Sequence, residues 1–93
     1  MKSRAKELVK TDPNIVCREE DENALLFNPD NGLIKMLNRV GYEIWKMCRR
    51  PVSVSKIREN LKKDYPKTRV EIIEKDVNDF LTYMKNLKLI KPV

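Results

Sequence analysis

The fold turns on residues Gly32 to Trp45, G-L-I-K-M-L-N-R-V-G-Y-E-I-W. Leu33 to Leu37 is apolar or β-branched except for Lys35, and it follows Asn31-Gly32, a turn pair that permits positive φ. A strand is expected there. Asn38 can stop it and cap a helix, its side-chain oxygen accepting from a backbone N–H two or three residues on. From Leu37 the apolar period changes, since Leu37, Val40, Ile44, Met47 and Cys48 recur at helical spacing. Gly41 falls inside this helix at a cost of roughly 1 kcal/mol against Ala. A close approach to the backbone, or a strained first turn, is the expected reason.

Working backwards, Pro13 precedes a strand over about Ile15 to Glu19, and Glu20-Asp21-Glu22-Asn23 reads as a turn. Ala24 to Asn28 is the next strand, and Pro29-Asp30-Asn31-Gly32 turns it into Leu33 to Leu37. Connections this short make an antiparallel meander. Residues 1–13 have little to bury and read as a flexible arm, leaving 14–93 as one domain.

Working forwards, a first helix spans about Arg39 to Arg49, and Pro51 separates it from a second. Ser53 is the expected cap of the second, whose face is Val54, Ile57, Leu61 and Tyr65. Pro66 ends it. Thr68-Arg69-Val70-Glu71 reads as a capping box for a third helix reaching about Asn86. Its stripe is Val70, Ile73, Val77, Phe80, Leu81, Met84 and Leu87, and Leu89-Ile90 returns as a short extended tail. Strands first and helices after give an α+β class.

Ninety-three residues make one small domain with a modest core. No run approaches the roughly 18 apolar residues of a membrane span. The basic start lacks the apolar segment of a secretory signal, so a cytoplasmic location is expected. Cys17 and Cys48 suit a reducing compartment as small thiols, and sequence alone does not say whether they meet. The net charge of +6 is uneven, with −5 over residues 12–32 and +7 over 46–69. That basic middle could draw a polyanion to one face.

Catalysis lacks its usual equipment. There is no histidine, which removes the commonest general base and metal ligand. Two cysteines without a C-x-x-C pair do not close a zinc site. Glu19-Glu20-Asp21-Glu22 is dense in carboxylates but lacks the spacing of a calcium loop. The two glycines belong to no phosphate-binding loop, and the serines have no partner base. No catalytic residue, metal or cofactor is expected.

In order and spacing the chain resembles the PqqD-like family, the small peptide chaperones also called RiPP recognition elements. The resemblance covers about residues 14–90. It rests on R-E-E at Arg18 to Glu20, A-L-L-F-N-P-D-N-G-L-I at Ala24 to Ile34 and L-N-R-V-G-Y-E-I-W at Leu37 to Trp45. It continues through V-S-V-S-K-I, D-V-N-D-F-L and the closing L-K-L-I. Two departures are Val40, where Thr or Ala is usual, and Lys88, where the closing motif has Gly. A lysine there must accept a left-handed backbone, or the helix ends differently.

The resemblance implies a three-stranded antiparallel sheet followed by three helices, winged-helix-like. It implies a non-catalytic protein that binds the leader segment of a ribosomally made precursor peptide and presents it to a modifying enzyme, often a radical-SAM protein. The leader would lie as an added strand beside Leu33, Ile34, Lys35, Met36 and Leu37, with the third helix as the other wall. A proline at Lys35 would then block binding if that residue's N–H faces the ligand. On the third helix, Ile72, Asp76, Asp79 and Tyr83 share a flank about a quarter-turn from the core stripe, and they are the candidate wall residues. Trp45 is expected to be packed, with its indole N–H bonded.

The rival is a nucleic-acid-binding winged helix reading the major groove with the third helix. Glu71, Glu74, Asp76 and Asp79 on that helix disfavour it, because phosphate contact needs cations. The precursor, the modifying enzyme and the oligomeric state are not legible.

Overall fold

The computed structural model describes residues 6–93. Its elements are β1 (Leu8–Thr11), β2 (Val16–Glu20), β3 (Asn23–Phe27), β4 (Ile34–Leu37), α1 (Arg39–Met47), β5 (Val52–Ser53), α2 (Val54–Asp64), α3 (Val70–Asn86) and β6 (Ile90–Pro92). They form two three-stranded antiparallel sheets and three helices, an α+β fold.

One sheet is the expected meander, in the order β2-β3-β4. Glu20 pairs with Asn23, so the first hairpin loop is only Asp21-Glu22, and Asp21 takes a φ of 58° to close it. The second hairpin is held by side chains as well as backbone. Gly32 has a φ of 75° and donates to the Asn28 carbonyl at 2.8 Å, while Asn31 Oδ1 accepts from Leu33 N at 2.9 Å. The meander alternates as a half-covered sheet should. Ala24, Leu26 and Leu37 turn into the core, whereas Val16, Phe27, Ile34 and Met36 lie on the outer face and are exposed.

The other sheet, in the order β5-β1-β6, corrects the reading of residues 1–13 as a loose arm. Residues 1–5 lie outside the described residues, but Leu8–Thr11 is a central strand, with Val9 fully buried. Val54 N donates to Glu7 O at 3.0 Å and Val93 N to Leu8 O at 2.9 Å. Lys85 Nζ reaches Glu7 at 2.7 Å, a half-buried ion pair joining this segment to α3. The local pattern L-V-K-T has too few apolar residues to announce a strand. Its partners are a two-residue strand and the chain's last residues, which no short-range periodicity reveals.

Helix ends follow the chemistry in two cases of three. Asn38 Oδ1 accepts from Gly41 N at 2.8 Å, and Ser53 Oγ from Lys56 N at 3.0 Å. The expected capping box at Thr68 does not form. Arg69 is the N-cap of α3 and makes no side-chain cap bond, so the helix starts one residue later than a Thr68 cap requires. Val70, the first residue of α3, is 45% exposed rather than part of the core stripe, and Val40 is also exposed at the start of α1. At the far end Lys88 does take the left-handed conformation, with a φ of 61°. Lys88 N bonds Lys85 O and Leu89 N bonds Met84 O, each at 2.9 Å, which is the two-bond pattern that ends helices at a left-handed residue.

The core lies between the sheets and the helices. Ile44 and Trp45 of α1, Val54, Ile57 and Leu61 of α2, and Ile73, Val77, Leu81 and Met84 of α3 meet Val9, Leu26, Leu37, Leu89 and Ile90 there. Gly41 is buried because α3 comes close to it. An added Cβ would sit 3.2 Å from the Phe80 ring and 3.3 Å from the Asn38 cap oxygen. The glycine that looked costly in the sequence is what admits Phe80.

Candidate functional site

β4 is an edge strand whose only strand partner among the described residues is β3. Which of its backbone groups are free follows from register. Asn28 N donates to Leu33 O at 2.9 Å, so that pair is hydrogen-bonded, and bonded pairs recur at every second residue. Lys35 opposite Leu26 and Leu37 opposite Ala24 therefore turn their N–H and C=O towards β3. Ile34 and Met36 turn theirs outward. This corrects the expectation for Lys35: its N–H belongs to the sheet, and the open hydrogen-bonding row consists of Ile34 and Met36.

Side chains follow the opposite alternation. Leu37 is buried, Leu33 is half-buried against the core, and Lys35 points to the same side as Leu37, towards the helices. Lys35 Nζ lies 4.8 Å from the centre of the Tyr83 ring on α3, a cation–π contact that spans the gap between strand edge and helix. Of the five residues from Leu33 to Leu37, two offer backbone, one bridges to the opposite wall, and two anchor the strand.

On α3, Ile72 and Tyr83 are 45% and 46% exposed, so neither belongs to the core. Asp76 and Asp79 lie on the same flank, both exposed. Asp79 is paired with Lys75 at 2.8 Å, a contact that raises the lysine's pKa. Asp76 makes no ion pair of its own among the described residues. The flank runs opposite to β4, because Tyr83 meets Lys35 while Phe80, nearer the start of α3, meets Gly41.

At the start of α1, between α1, the end of α2 and the N-terminal part of α3, lies a pocket of about 370 Å³. Val40, Ile44, Leu61 and Phe80 form its apolar walls, with Asp76 and Asp79 also lining it. Sequence reasoning found the two aspartates and missed Val40 and Phe80 as wall residues, having placed both on core stripes. Their half-exposed state depends on how α1 and α3 cross. A larger open basin of about 920 Å³ lies between the β2–β3 turn, α1 and α2. Several of its polar groups engage one another: Arg39 pairs with Glu43 and Glu22, and the Tyr42 and Tyr65 hydroxyls donate to Glu19 and Glu43. The bond to Glu19, then burial, raises the Tyr42 pKa, whereas for Tyr65 burial comes first and the bond to Glu43 second.

Comparison with known proteins assigns the chain to a family. Residues 23–90 match the family model described as "Coenzyme PQQ synthesis protein D (PqqD)". The chain belongs to the PqqD family. Among solved structures, "TbiB1 in Complex with the TbiA(beta) Leader Peptide" is similar in fold, with a TM-score of 0.80 at 23% identity. The match covers 88% of this chain and 94% of that one. No curated protein sequence matches it. The family match begins at Asn23 and leaves out β1, the strand that local periodicity also failed to announce. Among the described residues no helix is long and apolar enough to cross a membrane.

Proposed function

We propose that this PqqD-family chain is a RiPP recognition element: it binds the leader segment of a ribosomally made precursor peptide by strand addition and presents it to a modifying enzyme. The observation that carries this is the open β4 edge facing an exposed apolar and acidic flank of α3. Ile34 and Met36 would supply main-chain bonds, while their exposed side chains give an added strand apolar cross-strand neighbours. Ile72, Asp76, Asp79 and Tyr83 would select side chains on the helix side. Presentation needs no chemistry from this chain, and the partner enzyme, a radical-SAM protein in many family systems, supplies it. A cytoplasmic location goes with this reading, since the precursor is made there.

The nucleic-acid reading is weaker. A helix entering a groove of DNA would have to bring its exposed carboxylates to phosphate. Selection of displayed random 12-residue peptides on the immobilised protein tests the proposal, with random duplex DNA at low salt as the competitor. Enrichment of peptides with alternating apolar residues, undisturbed by DNA, is the expected result. Tight DNA binding that falls steeply with salt, with no peptide enriched, would overturn it.

A further inference from the structure

Resting on that peptide-binding reading, we propose that the pocket at the start of α1 takes one basic side chain, arginine or lysine, of the bound peptide. No residue of β4 lines the pocket, but Asn38, directly after the strand, and Val40 do, so a chain added along β4 and continued past Leu37 would reach it. What it meets there is mixed. The walls Val40, Ile44, Leu61 and Phe80 suit an aliphatic stem, and two carboxylates lie beside them.

The other polar side chains at the pocket carry no charge, and two of them are already engaged. The Asn38 oxygen is held by Gly41 N, the Tyr65 hydroxyl donates to Glu43, and Thr68 is exposed. No residue lining the pocket is basic. Lys75, largely exposed and outside the pocket lining, pairs with Asp79 and also feels the charge of Asp76, which makes no ion pair within contact distance among the described residues.

Asp76 and Asp79 are exposed and keep their water whatever fills the pocket, so a neutral aromatic or aliphatic occupant gains nothing from the two charges. A basic side chain fills the same volume with its methylenes and brings its own donors to the carboxylates. Arginine adds a flat guanidinium that can stack on the half-buried Phe80 ring. The pocket therefore sets substrate class: an alternating apolar segment with one basic residue at a fixed offset beyond it.

The displayed 12-residue library provides the test, run in parallel on wild type and on Asp76→Asn/Asp79→Asn. Wild type should return a single Arg or Lys at constant spacing from the apolar alternation. The double variant should keep the alternation, lose the basic position, and bind the wild-type-selected peptides about tenfold or more weakly. Val40→Lys, which places a cation at the pocket wall without touching the carboxylates, should also reject those peptides. It decides the matter if the double variant does not fold. An apolar pattern with no basic position, or a basic position that survives in the double variant, would overturn the inference while leaving the strand-addition reading intact. Absence of any selected pattern, or peptides indifferent to Met36→Pro, would overturn that reading and the inference with it.

Discussion

Trp45 is the largest fully buried side chain, at 2% exposure, yet its indole N–H has no partner among the described residues. The expectation of a bonded indole does not hold. An orphaned buried donor costs on the order of 1–3 kcal/mol, so the ring is kept for its volume, at some loss to its polarity. Trp45→Ala should then cost about 3–5 kcal/mol, whereas Trp45→Phe, which removes the orphan with less lost volume, should cost less than half as much. Urea melts of the two variants check this, and a loss in Trp45→Phe as large as in Trp45→Ala would contradict the claim that the ring is kept for its volume. Cys48 makes the opposite case, a polar group suppressed by its surroundings. Burial pushes its thiol from 9.0 up to about 12, and Cys17 is half-exposed; both are free. The folded value lies above the unfolded one, so the stability tied to this thiol is complete below about pH 9 and falls away as pH rises towards 12. Iodoacetamide at pH 8 should label Cys17 first and leave Cys48 unmodified in the native protein. Equal labelling rates would contradict the burial of Cys48.

At the scale of elements, the edge strand divides its residues by direction, and a proline scan reads that division. Met36→Pro removes an outward N–H that no strand partner uses, and proline is tolerated on an edge facing solvent. It should leave the melting temperature within a few degrees and abolish peptide binding. Lys35→Pro removes a ladder bond to β3 and should destabilise the domain itself. Thermal melts and peptide affinity, measured separately, distinguish the two, and a Lys35→Pro protein as stable as wild type would show the register to be wrong. The meander and the helices were legible because each announces itself within a few residues. Gly32 and Asn38 mark turn and cap, Ser53 caps α2, and Lys88 sits where a left-handed residue had to be. β1 was not legible, because Leu8–Thr11 finds its partners some 40 and 80 residues away, where pairing depends on tertiary packing rather than local pattern. The Thr68 capping box failed for a related reason: the motif was present, but the chain enters α3 through Arg69.

Across the whole molecule the two sheets have different tasks. The β5-β1-β6 sheet joins both ends of the described chain through its ladder and the Lys91–Asp12 ion pair, and the Lys85–Glu7 pair ties it to α3. The β2-β3-β4 sheet is left with an open edge beside α3. In the sequence, the helix-three flank of Ile72, Asp76, Asp79 and Tyr83 could be read from angle alone, since the core stripe lay elsewhere. The pocket could not, because Val40 and Phe80 become walls only once Gly41 lets α3 approach α1. If a peptide occupies the space between β4 and α3, an amide chemical-shift map of the 15N-labelled protein, titrated with the tightest peptide from the displayed library, will show it. The largest shifts are expected at Ile34, Lys35 and Met36 and at Ile72, Asp76, Asp79 and Tyr83, with α2 and the β5-β1-β6 sheet nearly silent. Shifts confined to α2, or to the polar basin around Arg39 and Glu43, would contradict it.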